Sequence, residues 1–225
     1  MLHTIQNKPL RFDVSDNNKL FVTSDLHLFH KRIVEFTNRP TTLENHNSWV
    51  VNQCNNKIPP NTKASKSTVL HLGDFLFSCT NEEAVEILSQ LNGDWWFILG
   101  NHDNLDKLIT VINTVNKEYD TNHQILGWYY RLNVVEPQID ITLKQKKKLV
   151  ILCHFPIAEW DSMDRYSFHL FGHMHGGTSG HTDHPLPFVK GRLDCGIDNH
   201  PNHEPFTWEE IRSEMRKQRN EVKND

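Results

Sequence analysis

Five short apolar stretches of this sequence each end in side chains that can bind a metal ion. The run Trp95–Leu99 leads directly into Gly100, Asn101, His102 and Asp103. The metal-binding side chains that follow the five stretches are Asp25 with His27, Asp74, Asn101 with His102, His154, and His173 with His175. One Gly-Asp pair or one histidine at a strand end is common in ordinary turns and packed cores. Five such endings together favour a shared site at the carboxyl edge of a sheet.

The residue types indicate which ions would bind. Imidazole nitrogens mixed with carboxylate oxygens suit Mn²⁺, Fe²⁺ or Zn²⁺, whereas Mg²⁺ and Ca²⁺ prefer oxygen ligands alone. Two such cations roughly 3.5–4 Å apart repel each other, so a carboxylate or a water ionised to hydroxide must bridge them. We therefore expect two divalent cations, with manganese favoured over iron, zinc or nickel.

Strands of a sheet must position these side chains. The apolar runs predict strands at Lys19–Ser24, Thr68–Leu72, Trp95–Leu99, Tyr129–Val135, Ile139–Leu143, Leu149–Cys153, Ser167–Phe171 and Leu193–Ile197, with a short one near Leu10–Val14. The lysine-rich segment 144–148 is interpreted as a solvent-exposed turn between the strands at 139–143 and 149–153.

Capping patterns and apolar spacing predict the helices. A Thr or Ser followed three residues later by Glu is a capping box, which marks a helix start. Three such pairs occur, and a fourth helix is predicted from apolar spacing over Leu105–Val115. The pairs are Thr41 with Glu44, for a helix to about Asn55, Thr80 with Glu83, and Thr207 with Glu210.

Composition limits the class of protein. The 225 residues carry a formal net charge of −4 and include 15 histidines and 4 cysteines. This length suits a single domain over 1–225, with 1–18 as a less ordered lead-in and 218–225 as a charged tail. The separated cysteines, and the lack of a secretory or membrane-length apolar segment, predict a cytoplasmic protein without a membrane partner. The acidic balance makes extended nucleic acid a weak candidate partner, and the oligomeric state stays open.

The motifs resemble, in order, those of calcineurin-like metallophosphoesterases. The segments Ser24–His30, Asn38-Arg39-Pro40 and Leu193–Asp198 are most similar to a compact bacterial and phage branch. The motif blocks that match the family lie between Phe21 and Gly176. They are Asp25-x-His27, Gly73-Asp74, Gly100-Asn101-His102-Asp103, His154 and Gly172-His173-x-His175. The resemblance implies an α/β (α+β) fold, a four-layer αββα sandwich of two mixed sheets flanked by helices.

The resemblance also implies a role for each site residue. It assigns Asp25, His27 and His175 to one metal, Asn101, His154 and His173 to the second, and Asp74 to the bridge between them. His102 would lie beside the substrate phosphate, to stabilise charge or protonate the leaving oxygen, and Asp103 would orient or polarise it. His30 and Arg39 are candidate substrate contacts, with a surface role for His30 and a structural role for Arg39 as the alternatives.

Departures from the family pattern narrow the expected activity. Ser/Thr protein phosphatases of this superfamily carry an Asp-Arg-Gly block and a Glu after the Asn-His pair, where this chain has Phe75-Leu76-Phe77 and Asp103. We expect a metal-dependent phosphodiesterase that acts on a small nucleotide-type or cyclic-nucleotide-type diester. The alternatives are a phosphomonoesterase or pyrophosphohydrolase with the same site and, in another class, a non-catalytic metal-binding scaffold.

Overall fold

A computed structural model describes residues 9–137, 146–177 and 189–221. It contains two five-stranded sheets, with strand orders β10-β2-β3-β4-β5 and β1-β6-β7-β8-β9. The strands are β1 Leu10–Asp13, β2 Asn18–Thr23, β3 Lys66–His71, β4 Asp94–Ile98, β5 Gln124–Gly127, β6 Tyr129–Val135, β7 Lys147–Cys153, β8 Phe168–Phe171, β9 Arg192–Asp194 and β10 Phe206–Thr207. The α-helices are α1 Ile33–Phe36, α2 His46–Lys57, α3 Asn81–Ser89, α4 Leu105–Tyr119 and α5 Trp208–Glu221.

Both sheets are mixed, as predicted. In the first, β2 to β5 are parallel and β10 is antiparallel to β2. In the second, β6 is antiparallel to β7, while the other pairs are parallel. The sheets with their flanking helices form the α/β sandwich that the motif resemblance implies.

The alternation of side chains along β2 explains how the layers pack. Phe21 belongs to a core shared with α2, α3 and α4. Leu20 and Val22 point to the opposite face and pack with β6 and β7 residues such as Leu132 and Val150. A strand with apolar residues on both faces is buried between two layers, which is why the sequence shows a continuous apolar run here.

Two of the three predicted capping boxes are confirmed. Thr80 and Glu83 exchange hydrogen bonds at the start of α3, and Thr207 and Glu210 do the same at the start of α5. The pair Thr41 and Glu44 was wrong as a helix start, because α2 begins at His46 and its preceding residue makes no side-chain cap. Instead, residues 42–45 form a turn in which the Asn45 N–H donates to the Thr42 carbonyl.

The hairpin of the second sheet also differs from its prediction. Strand β6 pairs directly with β7, in the register Val135 to Lys147 and Val134 to Lys148. These two lysines therefore belong to a strand and not to a turn, while the strand predicted at 139–143 lies outside the described residues. Helix α1 and strand β5 were not predicted, since both are four residues long and lack a clear period. Within the described ranges, no helix has the length and apolar character needed to cross a membrane.

The loops that follow the parallel strands meet at one edge of the sandwich. The N–H of Asp25 donates to the Gly73 carbonyl at 3.0 Å, which joins the loops after β2 and β3. The Gly172 N–H donates to the His154 carbonyl at 2.9 Å, which joins the loops after β7 and β8. A β-bridge between Ser24 and Gly196 then links the two sheets. All five predicted metal-binding blocks therefore meet at this edge.

Candidate metal centre

The first cluster of ligand groups consists of Asp25, His27 and His175, all buried. The Nε2 atoms of the two histidines lie 3.1 Å apart. Each Nε2 lies 3.8 Å from Oδ1 of Asp25. Three ligand atoms that face a common point at such distances have the arrangement of a divalent-cation site.

The second cluster consists of Asp74, His154 and the less buried His173. Oδ2 of Asp74 lies 3.4 Å from Nε2 of His154 and 3.7 Å from Nε2 of His27, which belongs to the first cluster. Asp74 therefore stands between the clusters, where a bridging carboxylate would. The side-chain oxygen of Asn101 is 3.0 Å from Nε2 of His154, on the side of the second cluster.

Hydrogen bonds at the backs of two rings show that this centre fits metal ions. Nδ1 of His154 is 2.8 Å from the Leu72 carbonyl, and Nδ1 of His175 is 2.7 Å from a carboxylate oxygen of Asp198. Because those acceptors require a proton on Nδ1, Nε2 is the nitrogen of each ring that can offer a lone pair to a metal at the centre. Oδ1 of Asp25 is buried without a hydrogen-bond partner among the described residues. A bound cation would satisfy all three atoms.

The charges of the centre also favour cations. Although burial opposes ionisation, the surrounding imidazoles hold the pKa values of Asp25 and Asp74 below their ordinary range. Burial likewise disfavours the protonated form of His154, but the two carboxylates outweigh it and raise the pKa of this ring to about 9. Without metal, His154 therefore favours its protonated form. Metal ions would compete for the same positions.

The backbone at the ligands has an unusual conformation. Five of the six clustered ligands have positive φ angles, which non-glycine residues rarely adopt. The angles are 59° at Asp25, 50° at His27, 60° at Asp74, 74° at His173 and 45° at His175. Each costs on the order of 1 kcal/mol and persists only where the surroundings enforce it. The concentration of this strain at one edge independently indicates a functional site.

Close packing explains why three of the motif blocks begin with glycine. A Cβ atom at Gly100 would overlap the carboxylate of Asp74, and one at Gly172 would overlap Ser24 and Asp25. At Gly73 it would lie 2.5 Å from Nδ1 of His154. A glycine at each position lets the neighbouring ligand approach the centre.

His102 lies beside the clusters and belongs to neither. Its ring is exposed, and the ring centroid is 5.7 Å from that of His27 and 5.2 Å from that of Phe77. Its backbone N–H donates to Oδ1 of Asp74 at 2.9 Å. The structure thus places His102 at the open side of the centre, where the sequence analysis expects the substrate phosphate.

The side chain of Asp103 bonds to backbone N–H groups. It accepts from Asp74 at 2.8 Å and from Phe75 and Gly100 at 2.9 Å. Among the described residues, no hydrogen bond joins it to the ring of His102. Asp103 therefore fastens the loop after β3 to the loop after β4, instead of polarising His102 directly.

The two candidate substrate contacts have very different surroundings. The partly exposed ring of His30 packs against Phe77 in a tilted arrangement, with centroids 4.3 Å apart, and lies 5.6 Å from the ring of His27. Arg39 is buried and donates to both oxygens of Asp198 at 2.7 and 2.8 Å, and to the carbonyls of Asp25 and Leu26. His30 can reach a bound ligand, whereas the contacts of Arg39 favour the structural alternative.

Asp198 is a site residue that the sequence analysis did not identify. Its carboxylate lies between the guanidinium of Arg39 and Nδ1 of His175, so it fixes the orientation of a predicted ligand. Although burial opposes it, the bonds from Arg39 and His175 hold the pKa of Asp198 well below its usual range. The available signal was its place in the Leu193–Asp198 segment, which begins within β9 and continues past its end.

Comparisons with known proteins agree with this architecture. A solved structure of a protein of unknown function from Aquifex aeolicus superposes with a TM-score of 0.55 over 88% of this chain and 99% of the other, at 17% identity, which supports the fold alone. An uncharacterized protein of Methanocaldococcus jannaschii is 34% identical over 96 residues, which are 42% of this chain and about half (52%) of that protein. The family model for calcineurin-like phosphoesterases matches residues 19–221. The chain therefore belongs to the calcineurin-like phosphoesterase family.

Proposed function

We propose that this protein is a metal-dependent phosphodiesterase that acts on small nucleotide-type or cyclic-nucleotide-type diesters, with manganese as the favoured metal. The observation that carries the proposal is the position of Asp74 between the two ligand clusters, with the exposed His102 next to it. When bound, two divalent cations supply a nucleophile derived from water and neutralise charge on the phosphoryl oxygens.

The protein's own groups then position the substrate and move a proton. The exposed ring of His102 makes no hydrogen bond among the described residues, so it is available to donate a proton to the leaving oxygen. His30 and Phe77 form an aromatic wall on the same side. Aromatic rings next to the metal centre suit a substrate with an aromatic base.

The state of the nearby cations supports a diester over a monoester. A monoester phosphate carries up to two negative charges near neutral pH, whereas a diester carries one. Arg39 is buried by its bonds to Asp198 and to backbone carbonyls, and the ammonium group of Lys107 bonds to the Cys79 carbonyl. Neither of these two cations is available for a second phosphate charge, which favours a singly charged phosphate.

The test compares bis-p-nitrophenyl phosphate with p-nitrophenyl phosphate, using metal-stripped protein with and without Mn²⁺. We expect metal-dependent hydrolysis that favours the diester. In His102→Ala, kcat should fall by about 10²- to 10³-fold with unchanged metal content, because only proton transfer is lost. The matched control is His203→Ala, which alters a partly exposed histidine that packs on Trp49.

Other outcomes would select a different function. Preference for the monoester would contradict the diester proposal and favour a phosphatase. Turnover of neither compound, with both metals demonstrably bound, would favour a specific pyrophosphohydrolase or a non-catalytic scaffold. Full activity in His102→Ala would contradict the role assigned to this ring.

A further inference from the structure

A cavity lies at the end of the second sheet that is opposite to the metal centre. It has a volume of about 850 Å³, and its lining includes Lys147 and Phe168, at the starts of β7 and β8. His154 and His173 follow the other ends of the same strands. Since β7 has seven residues, this cavity and the metal centre are about 20 Å apart.

Positive charge dominates this cavity. Seven lysines and arginines line it among the described residues, but only three carboxylates, those of Glu136, Glu159 and Asp164. The cations are Lys146, Lys147 and Lys148 from the start of β7, Lys190 before β9, and Arg212, Arg216 and Arg219 from α5. The whole chain has a net charge of −4. This local excess of about four positive charges is therefore opposite in sign to the net charge of the chain, and it favours an anionic ligand.

The arginines form one face of a helix. Arg212, Arg216 and Arg219 are spaced by four and three residues, so they project from the same side of α5. Trp208 and Met215 share that side and anchor it in the core between the sheets. The helix is held against the sheet by apolar packing, and its arginines are thereby directed into the cavity.

Carboxylates neutralise only part of this charge. Arg212 pairs with Glu136 at 2.8 Å, whereas Lys146, Lys147, Lys190 and Arg216 have no ion pair among the described residues. Burial and the nearby Arg219 both lower the pKa of Lys148, which shows that like charges are held close together. An anion in the cavity would relieve this repulsion.

Aromatic rings supply the apolar part of the lining. The ring of Tyr166 is 52% exposed and has the guanidinium of Arg219 at 4.7 Å from its centroid. The ammonium of Lys148 lies 4.6 Å from the ring of Phe168. Aromatic rings next to cations are what proteins use to hold a nucleotide base beside its phosphates.

We propose that this cavity is a second ligand site, separate from the metal centre, that binds a nucleoside polyphosphate. Its volume falls within the range of small-ligand pockets, about 300–1,000 Å³. A nucleoside triphosphate carries about four negative charges near neutral pH, which matches the local excess of cations. The cations surround a concavity and do not form the continuous stripe that a long nucleic acid needs, so a small ligand is favoured.

The experiment is isothermal titration of the full-length, Mn²⁺-loaded protein with the hydrolysis-resistant imido analogue of ATP. We expect saturable binding that Lys190→Gln/Arg216→Gln weakens by about tenfold. The matched control, Lys63→Gln/Lys117→Gln, removes two exposed cations that do not line the cavity and should leave the affinity unchanged. Tyr166→Ala should weaken binding by about fivefold or more, while Tyr119→Ala, which alters an equally exposed tyrosine (52%), should not.

Two comparisons distinguish this site from binding at the metal centre and from charge attraction alone. Asp74→Asn should retain the affinity, and a loss there would place the ligand at the metal centre and overturn the proposal. Inorganic tripolyphosphate should bind more weakly than the ATP analogue and should not respond to Tyr166→Ala. Equal affinity for tripolyphosphate, much tighter binding of an oligodeoxythymidylate, or no effect of the double substitution in the cavity would each overturn it.

Discussion

Replacing Arg39 by methionine distinguishes the structural role of this residue from the substrate contact considered in the sequence analysis. The substitution retains an unbranched side chain but removes two hydrogen bonds to Asp198, at 2.7 and 2.8 Å, and bonds of 2.6 and 2.9 Å to the carbonyls of Asp25 and Leu26. It leaves the buried carboxylate of Asp198 without its main counter-charge. Breaking a buried ion pair in this way costs about 3–5 kcal/mol, a large share of a typical domain's stability.

The expected result is a large drop in thermal stability. For a protein of this length, 1 kcal/mol corresponds to about 2–4 °C in Tm, so we expect Tm to fall by about 10 °C in Arg39→Met. Arg39→Lys keeps the charge but loses the bidentate geometry. Its Tm should therefore lie between those of Arg39→Met and the wild type. The matched control is Arg32→Met, because the 64% exposed side chain of Arg32 pairs with Glu35 at the surface and should contribute less than about 1 kcal/mol.

Two further measurements test the same reasoning. Asp198→Asn combined with Arg39→Met removes the unpaired charge and should recover part of the lost Tm, so that the two effects are not additive. Metal content should also fall in Arg39→Met, because Asp198 orients His175. If Arg39→Met melted within about 2 °C of the wild type while KM rose several-fold, the structural interpretation would be refuted in favour of a substrate contact.

Two other perturbations test the metal centre and the buried histidines. Asp74→Asn should reduce metal content from two ions to one or none and lower kcat at least about 10²-fold, measured by elemental analysis beside the diester assay; unchanged content and activity would contradict the shared-carboxylate arrangement. Burial lowers the pKa of His123 to about 4, and its Nδ1 accepts the Trp95 N–H, so folding favours the neutral ring. The associated stability is present above pH 6.5 and is lost as the pH falls toward 4, by about 1.4 kcal/mol per pH unit. The buried rings of His46, His71 and His169 also have lowered pKa values and lose stability over the same range. Urea unfolding at pH 6.5 and 5 should therefore show a loss that is about 1.5 kcal/mol larger in the wild type than in His123→Asn, and equal losses in both proteins would contradict it.

The motif blocks could be found from the sequence because each depends on local order. An apolar strand followed at once by a ligating side chain predicts both the buried strand and the position of the ligand at its end, as for Leu72-Gly73-Asp74. The same locality explains the correct helix start at Thr80, where the capping partners are three residues apart. The local capping pattern fails at Thr41, because the preceding Arg39 is fixed by contacts to distant segments. A turn forms there in place of the first helical residues.

The roles that sequence analysis missed depend on contacts between distant residues. Asp198 is 159 residues from Arg39 along the chain, and no short pattern connects them. The same holds for the basic cavity, since Lys147 and Lys148 were interpreted as a turn and no role was assigned to the arginines of α5. Their convergence requires the pairing of β6 with β7 and the packing of α5, and the net charge of −4 conceals it.

The four residues Gly100 to Asp103 show how the centre couples its parts. Asp103 accepts the N–H of Asp74, and Asp74 in turn accepts the N–H of His102, so the loops after β3 and β4 hold each other through reciprocal hydrogen bonds. The other oxygen of Asp74 faces both ligand clusters. The carboxylate expected to bridge the metals therefore also sets the position of the ring expected to donate a proton. A change that moves Asp74 should disturb metal binding and proton transfer together, whereas a change confined to the ring of His102 should disturb proton transfer alone.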